Sequence, residues 1–359
     1  MKKILCLIDG LGSGGAQRQL VGLADLLNRK GYAVLFVWYH KSDFFRNFLE
    51  ENDINYVQLN AKNRFQKFLL IKKVMTQFHP DAVVAYIDGP NMATCLMKML
   101  GMKSIAIVSE RNFTQSLRWE NRLKFFLYRW ADYVVSNSQA QTDFINSHFS
   151  SLRNKTITIR NFVDSENFKP QGSEKSTTIV NKQILVVGRI AHQKNIIRFM
   201  YALRKAKDAG AKFHVDWYGR VSFGQENYGE EVQKVYDKLG LSECMFFHEP
   251  TGEILDKYQG CDIFCLPSLY EGFPNVICEA MSCGKPILCS DVADNAVLVH
   301  DGMNGFLFNP LSVDDMADKI LLLCEKSDSE LYNMGRESRK IVLVDLSKEK
   351  FVQKYIDLV

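Results

Sequence analysis

Apolar runs typical of buried strands alternate with helical patterns along this chain, and the alternation begins twice. In the first half, we predict strands near 3–9, 32–39, 55–59, 81–86, 104–108, 132–137 and 156–159. The pattern restarts with the run Gln183–Gly188, and further strands are predicted near 212–218, 244–248, 262–266 and 286–290. Such alternation is typical of parallel sheets covered by helices. The chain is therefore predicted to be an α/β protein with two doubly wound parallel-sheet domains.

A polar stretch between the two halves, Lys169–Thr178, has the composition of a linker. We predict an N-terminal Rossmann-like domain over 1–168, a linker over 169–182 and a C-terminal Rossmann-like domain over 183–340. The last helical segment, within 341–359, follows without an intervening strand and is predicted to pack across the domain junction. Because 359 residues exceed one ordinary hydrophobic core, we expect an interdomain cleft that holds the ligand.

Composition excludes several classes of protein. A hydrophobic fraction of 47% and a charged fraction of 24% are those of a globular protein rather than a disordered one. The nine cysteines include no Cys-x-x-Cys pair, which fits reduced thiols in the cytoplasm. The net charge of +4 and the lack of a recognition motif argue against nucleic acid as a partner. No apolar run is long enough for a signal peptide or a transmembrane helix, so any membrane contact is expected to be peripheral.

Two carboxylates flank one predicted strand-to-helix junction in the second half. Glu271 lies on the turn Glu271–Asn275 after an apolar run, and Glu279 lies inside the predicted helix that follows. Ligands of open α/β sheets bind at the carboxyl ends of strands, where carboxylates suit pairs of sugar or ribose hydroxyls. The alternative is ordinary surface charge.

A glycine cluster, Gly10–Gly15, follows the first predicted strand and opens a helix, and it matches the G-x-G-x-x-G pattern of dinucleotide binding. That function also needs an acid at the end of the second strand, and the nearest acid, Asp43, lies beyond the expected position. A dinucleotide-dependent oxidoreductase therefore stays open as an alternative. Independently of it, the amides at Gly14 and Gly15 can approach a phosphate or a sugar, unless the cluster only makes a tight turn.

The first strand of the second half runs directly into a loop with two cations. Arg189 can bind phosphate oxygens through its planar guanidinium, and Lys194 adds a point charge at the same sheet edge. A diphosphate would fit there. Two basic residues in a loop can also be solvated surface.

Together these segments resemble the retaining glycosyltransferases of family 4, which have the GT-B architecture. The matching motifs extend over nearly the whole chain: Gly14-Gly15-Ala16, Val187-Gly188-Arg189 with Gln193-Lys194, Glu271-Gly272-Phe273 through Glu279-Ala280-Met281, and Gly284-Lys285-Pro286. Val135–Ser138, Ile159–Asp164, Cys261–Ser268 and Asp301–Gly305 support the match in the expected order.

The resemblance implies a role for each matching residue. Arg189 and Lys194 would hold the diphosphate of a nucleotide sugar and stabilise it as it leaves. Glu271 would contact hydroxyls of the donor sugar, and Glu279 would bind the ribose. Further substrate contacts are expected from Gly14 and Gly15 and from the turn Phe273, Pro274 and Asn275. The anomeric configuration would be retained, and neither a metal nor another cofactor is required.

Two loops depart from the family pattern. The loop 291–295, after the predicted strand 286–290, lacks the glycines that relatives often have there. Many members carry a histidine after a late strand of the first domain, whereas this chain has Ser109-Glu110-Arg111-Asn112. We expect Glu110 and Arg111 to bind substrate, with an ordinary strand-end ion pair as the alternative.

The segment from Ala61 to Ala131 is strongly basic, and its cations are mixed with aromatic residues. This pattern favours an anionic membrane surface as a partner, or else a solvated basic face. The combined expectation is a cytoplasmic enzyme, peripheral on the inner face of the membrane. It would move a hexose or N-acetylhexosamine, with UDP as the expected nucleotide, to a glycan acceptor linked to polyprenyl diphosphate, in O-antigen or capsule synthesis. A sugar- or nucleotide-binding protein without turnover is a further alternative.

Overall fold

The computed structural model describes residues 1–114, 116–171 and 181–359, which form two compact units. The first unit comprises Met1–Phe162 and Lys348–Val359, and the second comprises Val163–Ser347. Most of the linker predicted over 169–182 lies outside the described residues.

The first unit contains a parallel sheet of seven strands: β1 (Lys3–Leu7), β2 (Ala33–Trp38), β3 (Asn55–Gln58), β4 (Ala82–Tyr86), β5 (Ile105–Glu110), β6 (Tyr133–Ser136) and β7 (Thr156–Thr158). Their order in the sheet is β3-β2-β1-β4-β5-β6-β7. The helices are α1 (Gly15–Arg29), α2 (Arg46–Glu51), α3 (Arg64–Phe78), α4 (Asp88–Met99), α5 (Trp119–Leu127) and α6 (Gln139–His148). Both sheet faces carry apolar clusters, because the central strands are buried on both sides.

The second unit contains a parallel sheet of six strands: β8 (Lys182–Val187), β9 (Phe213–Tyr218), β10 (Met245–His248), β11 (Ile263–Leu266), β12 (Ile287–Ser290) and β13 (Gly305–Phe308). Their order is β10-β9-β8-β11-β12-β13. The helices are α7 (Ile196–Asp208), α8 (Glu226–Leu239), α9 (Ile254–Gly260), α10 (Asn275–Ser282), α11 (Asn295–Leu298), α12 (Val313–Cys324) and α13 (Asp328–Asp345). The predicted class, α/β with two doubly wound parallel sheets, is confirmed.

The C-terminal helix α14 (Lys348–Ile356) belongs to the first unit, although the chain reaches it through the second. Phe351 and Tyr355 are buried in the core cluster that contains β1 and α1 residues. The hydroxyl of Tyr355 lies 2.7 Å from that of Tyr86, at the end of β4. The last helix is therefore part of the core under the carboxyl edge of the first sheet.

Among the elements of the second unit that were given no range from the sequence are a strand and a long helix. The strand Gly305–Phe308 is only four residues long, and its glycine is required because a Cβ at Gly305 would lie 2.0 Å from the carbonyl oxygen of Ile287. The helix Glu226–Leu239 is rich in charge and fully buries only Val232. A short strand that begins with glycine gives a weak hydrophobic pattern. The helix packs Tyr228, Val235, Tyr236 and Leu239 against the core while leaving them partly exposed.

Candidate functional site

The loop after β8 is shaped by the close approach of two glycines. A Cβ at Gly219 would lie 2.0 Å from the carbonyl oxygen of Gly188, and that oxygen accepts a hydrogen bond of 2.7 Å from Trp217 Nε1. A Cβ at Gly188 would in turn lie 3.2 Å from Cε of Lys194, so the lysine stem packs on the glycine backbone. The loop therefore positions the side chain of Lys194 at the carboxyl edge of the second sheet.

Lys194 forms an ion pair with Glu271. The distance from Lys194 Nζ to Glu271 Oε1 is 2.5 Å, and the two side chains are 13% and 10% exposed. Ser268 Oγ donates to the same carboxylate oxygen at 2.6 Å. Because both described contacts involve Oε1, the other oxygen, Oε2, is left to accept hydrogen bonds from a ligand.

Backbone and side-chain bonds connect the two loops that carry this ion pair. The amide of Leu269 donates to the carbonyl of Gln193 at 2.8 Å, and Gln193 Nε2 donates to the carbonyl of Tyr270 at 2.9 Å. Ser290 Oγ, at the end of β12, donates to the carbonyl of Ser268 at 2.6 Å. The relative positions of the ammonium and the carboxylate are thus fixed by the ends of β8, β11 and β12.

Arg189 lies in the same loop as Lys194 but is exposed to solvent. Among the described residues it forms no hydrogen bond or ion pair, so its guanidinium is available to an anion. The loop therefore offers one exposed cation and one cation held against a carboxylate.

Glu279 lies one helix further along, in α10, and is mostly buried. Tyr258 donates its hydroxyl to Glu279 Oε2 at 2.9 Å. Phe273 is buried in the core of the second unit, whereas Pro274 caps α10 and Asn275 is its first residue. Because the ring of Phe273 is packed in the core, only the backbone of this residue can contact a ligand.

The first residue of the glycine cluster, Gly10, is needed for close packing in the first unit. A Cβ at Gly10 would lie 2.7 Å from Ser42 Oγ, in the loop after β2, and the amide of Leu11 donates to the carbonyl of Ser42 at 3.1 Å. Gly14 and Gly15 are exposed at the start of α1, where the first-turn amides point outward. These amides are the part of the cluster that can bind an anion.

Glu110 is buried at the end of β5 in an internal ion pair. Lys124 Nζ lies 2.8 Å from one carboxylate oxygen, and the hydroxyl of Tyr128 donates to the other at 2.5 Å. Burial raises the pKa of Glu110 above its usual value, against the opposing effect of Lys124. Both oxygens are engaged inside the first unit, which is the ion-pair arrangement that the sequence left open.

Arg111, the next residue, is also buried. Its guanidinium lies over the ring of Tyr86, 4.4 Å from Cζ to the ring centroid, and donates to the side-chain oxygen of Asn161. Its backbone carbonyl accepts a bond of 3.2 Å from Asn137 Nδ2. The side chains of Arg111 and Glu110 therefore have separate sets of partners.

The structure thus brings Lys194 and Glu271 into direct contact, with Arg189 on the same loop and Glu279 on the helix after the Glu271 turn. Sequence reasoning missed Ser268 and Tyr258, which hold the two carboxylates. Ser268 carried one signal, its position two residues after the end of β11 and three residues before Glu271. Tyr258 carried none, because a tyrosine in a short amphipathic helix is typical of ordinary packing.

In the described parts of the chain, no group of three or more histidine, cysteine or acidic side chains is arranged to hold a metal ion. The same residues include no helix that is both long and apolar enough to cross a membrane.

Comparison with known proteins gives matches to both units. Residues 13–167 match the family described as Glycosyltransferase Family 4, and residues 168–341 match the family described as Glycosyl transferases group 1. An uncharacterized glycosyltransferase of Haemophilus influenzae is 26% identical over 367 residues, covering 99% of each chain. The N-acetylgalactosamine-N,N'-diacetylbacillosaminyl-diphospho-undecaprenol 4-alpha-N-acetylgalactosaminyltransferase of Campylobacter jejuni is 25% identical over 308 residues, covering 81% of each chain.

Solved structures are similar over the same length. HepE of Anabaena, in complex with UDP, has a TM-score of 0.85 and 22% identity, with 99% of each chain covered. The same protein in complex with UDP-glucose gives a TM-score of 0.82. This similarity confirms the predicted fold, and the comparisons lend no support to the alternative of a dinucleotide-dependent oxidoreductase.

Proposed function

We propose that this chain, a group 1 glycosyltransferase by the two family matches that span residues 13–341, moves one hexose or N-acetylhexosamine from a UDP-sugar to a glycan acceptor. The observation that carries this proposal is the Lys194–Glu271 ion pair at the carboxyl edge of the second sheet. It places a cation for phosphate beside a carboxylate with one oxygen available for sugar hydroxyls.

In this proposal the donor binds across the loop and the two acids. Arg189 and Lys194 hold the diphosphate, with help from the amides near Gly15. Glu271 accepts hydrogen bonds from the donor sugar, and Glu279 from the ribose. UDP is favoured as the nucleotide because HepE, which has the same fold, is solved with UDP and with UDP-glucose.

We further propose that the transfer retains the anomeric configuration and needs no metal. The bond from the anomeric carbon to the diphosphate oxygen breaks as the acceptor hydroxyl attacks from the same face, and a leaving phosphate oxygen accepts the hydroxyl proton. Negative charge then grows on the departing diphosphate. Arg189 and Lys194 accelerate the reaction because they stabilise that charge more strongly in the transition state than in the bound donor.

The acceptor is proposed to be a glycan carried on polyprenyl diphosphate, in the synthesis of a surface polysaccharide such as O-antigen or capsule. The Campylobacter jejuni relative supports this class, since its name specifies a diphospho-undecaprenol acceptor.

A peripheral site on the cytoplasmic face of the membrane fits such an acceptor. Helix α5 exposes Trp119, Leu123 and Phe126 on one stripe, and Arg118 and Arg122 are exposed beside it. Aromatic and cationic side chains in this arrangement suit an anionic lipid surface. Cosedimentation with phosphatidylglycerol vesicles at low and high salt tests this part, and binding that does not respond to salt or to Trp119→Ser would contradict it.

A thermal-shift panel tests the donor assignment. The purified protein is melted with UDP, GDP, their common sugar conjugates and NAD, since a ligand that binds the native state raises its melting temperature. We expect UDP and one UDP-sugar to stabilise the protein, and Glu279→Ala to reduce the effect of both. Stabilisation by NAD alone would overturn the proposal.

A further inference from the structure

Arg111 is a buried cation whose described partners are all neutral. The residue is only 8% exposed. Its guanidinium contacts the ring of Tyr86, the amide oxygen of Asn161 and, at 3.4 Å, the hydroxyl of Ser109. Among the described residues, no carboxylate lies within ion-pair distance of it. A buried charge without a counterion is unfavourable, so the presence of Arg111 at this position needs a physical explanation.

The neighbouring acids do not compensate this charge. Glu110 is engaged by Lys124 at 2.8 Å and by the hydroxyl of Tyr128 at 2.5 Å. Lys124 also contacts Asp88 at 3.2 Å, so two carboxylates share one ammonium. Glu110 and Asp88 are therefore both paired with Lys124, and neither neutralises the positive charge of Arg111.

Two buried polar atoms near this charge also lack hydrogen-bond partners among the described residues. One is Nε of Arg111, a donor, and the other is Oδ1 of Asn137, an acceptor on a side chain only 3% exposed. The two residues are joined by the bond from Asn137 Nδ2 to the Arg111 carbonyl. They follow the neighbouring strands β5 and β6, at the carboxyl edge where α/β sheets bind ligands.

We propose that Arg111 and Asn137 form a subsite for an anionic group, a phosphate or a carboxylate, on a substrate that also presents a hydroxyl or N–H group. The guanidinium supplies the counter-charge, and Asn137 Oδ1 accepts the neighbouring hydrogen bond. The assignment of this anion to a substrate of glycosyl transfer rests on the proposed function, whereas the anion site does not. The anion belongs either to the donor diphosphate or to a charged group of the acceptor.

The test is a titration of inorganic phosphate, with chloride at matched ionic strength, followed by melting temperature. It compares the wild type, Arg111→Met and the control Arg336→Met, which changes an exposed arginine of the second unit. Phosphate bound at Arg189 and Lys194 contributes equally to all three, so the difference isolates Arg111. We expect the part of the phosphate-dependent rise in melting temperature that comes from Arg111 to be absent in Arg111→Met and present in the control. The affinity of this site for phosphate should fall at least tenfold in Arg111→Met.

The phosphate-free melting temperature gives a second readout. Methionine keeps most of the bulk of arginine but removes the uncompensated charge, so Arg111→Met is expected to melt at the same temperature as the wild type or higher. A variant that melts lower and responds to phosphate like the wild type would show that Arg111 is only structural. Should Arg111→Met not fold, Arg111→Lys replaces it, with a reduced phosphate response expected and an unchanged one refuting the site.

Repeating the titration with saturating UDP distinguishes the two sources of the anion. A phosphate response that depends on Arg111 and persists with UDP assigns the subsite to the acceptor, and one that UDP removes assigns it to the donor diphosphate. A response that depends on Arg111 in a protein that binds no UDP would leave the anion site intact and overturn the proposed function instead.

Discussion

Separating the structural role of Lys194 from its catalytic role requires three variants: Lys194→Met, Glu271→Gln and the two combined. In the wild type the ammonium and the carboxylate are 2.5 Å apart and nearly excluded from water, at 13% and 10% side-chain exposure. Each single substitution leaves one charge without its partner. The double substitution removes both charges, while the introduced glutamine amide can still accept the hydrogen bond from Ser268.

The size of the effect follows from this burial. Breaking a fully buried ion pair costs about 3–5 kcal/mol, and losing a charge-assisted hydrogen bond costs about 1.5–3 kcal/mol. Since both side chains keep some contact with water, we expect each single variant to lose about 2–3 kcal/mol of unfolding free energy. The double variant should lose no more than either single one, so the coupling free energy is about 2–3 kcal/mol.

Activity should behave differently from stability. If Lys194 stabilises the leaving diphosphate, its removal is expected to lower kcat by about 10²–10³-fold, in line with the loss of one electrostatic contact to a transition state. Removing Glu271 as well restores the charge balance but not that contact. The double variant should therefore be no less stable than either single variant and still be inactive.

The assays are urea denaturation followed by circular dichroism, and UDP release at saturating donor. Additive losses of stability would show that the two side chains do not interact as the structure places them. Recovery of turnover in the double variant would refute the role of Lys194 in stabilising the leaving group.

Three further predictions follow from single contacts. Gly219→Ala places a Cβ 2.0 Å from the carbonyl oxygen of Gly188, so we expect a loss of about 3 kcal/mol or more in unfolding free energy, measured by urea denaturation, with Gly252→Ala, which meets no atom within 4 Å, as the control. Ser268→Ala removes one of the hydrogen bonds to Glu271 Oε1. Calorimetry should show that the affinity for a UDP-sugar falls about tenfold while the affinity for UDP stays unchanged. An equal loss of both affinities would contradict the role of Glu271 in binding the donor sugar. Burial raises the pKa of Glu110 in the folded protein above the pKa of a glutamate in the unfolded chain. The contribution of Glu110 to stability is therefore fully present below the unfolded-state pKa and is lost as the pH rises through the folded-state pKa. The stability of the wild type relative to Glu110→Gln should therefore fall as the pH is raised above about 4, where a glutamate of the unfolded chain ionises, and a rise would contradict the direction of the shift.

Much of the fold could be predicted from the sequence because its central strands are continuous apolar runs. Strands such as Ala82–Tyr86 and Ile263–Leu266 are buried at every position, and burial on both faces leaves a pattern that needs no knowledge of neighbours. The strand Gly305–Phe308 was missed for the opposite reason. Its place in the sheet depends on the close approach of Gly305 to Ile287, a contact with no local signature.

The candidate site was predictable as a set of residues but not as a set of contacts. Lys194 and Glu271 were each selected for their place after a strand, yet their ion pair joins positions 77 residues apart. Glu110 and Arg111 could not be assigned either, because adjacent residues at a strand end point to opposite sides of the sheet. Only the packed structure shows that one is neutralised by Lys124 and that the other is not.

The most direct test of the central claim is a transfer assay with the intact chain. The protein is incubated with a panel of UDP-sugars and a polyprenyl-diphosphate-linked N-acetylhexosamine, and the products are identified by mass spectrometry and by the anomeric proton signal in NMR. We predict a product heavier by one sugar residue, with the anomeric configuration of the donor retained and with turnover lost in Lys194→Met. A protein that binds a UDP-sugar tightly but forms no product with this or a wider set of glycan acceptors would contradict the account and identify a binding protein instead.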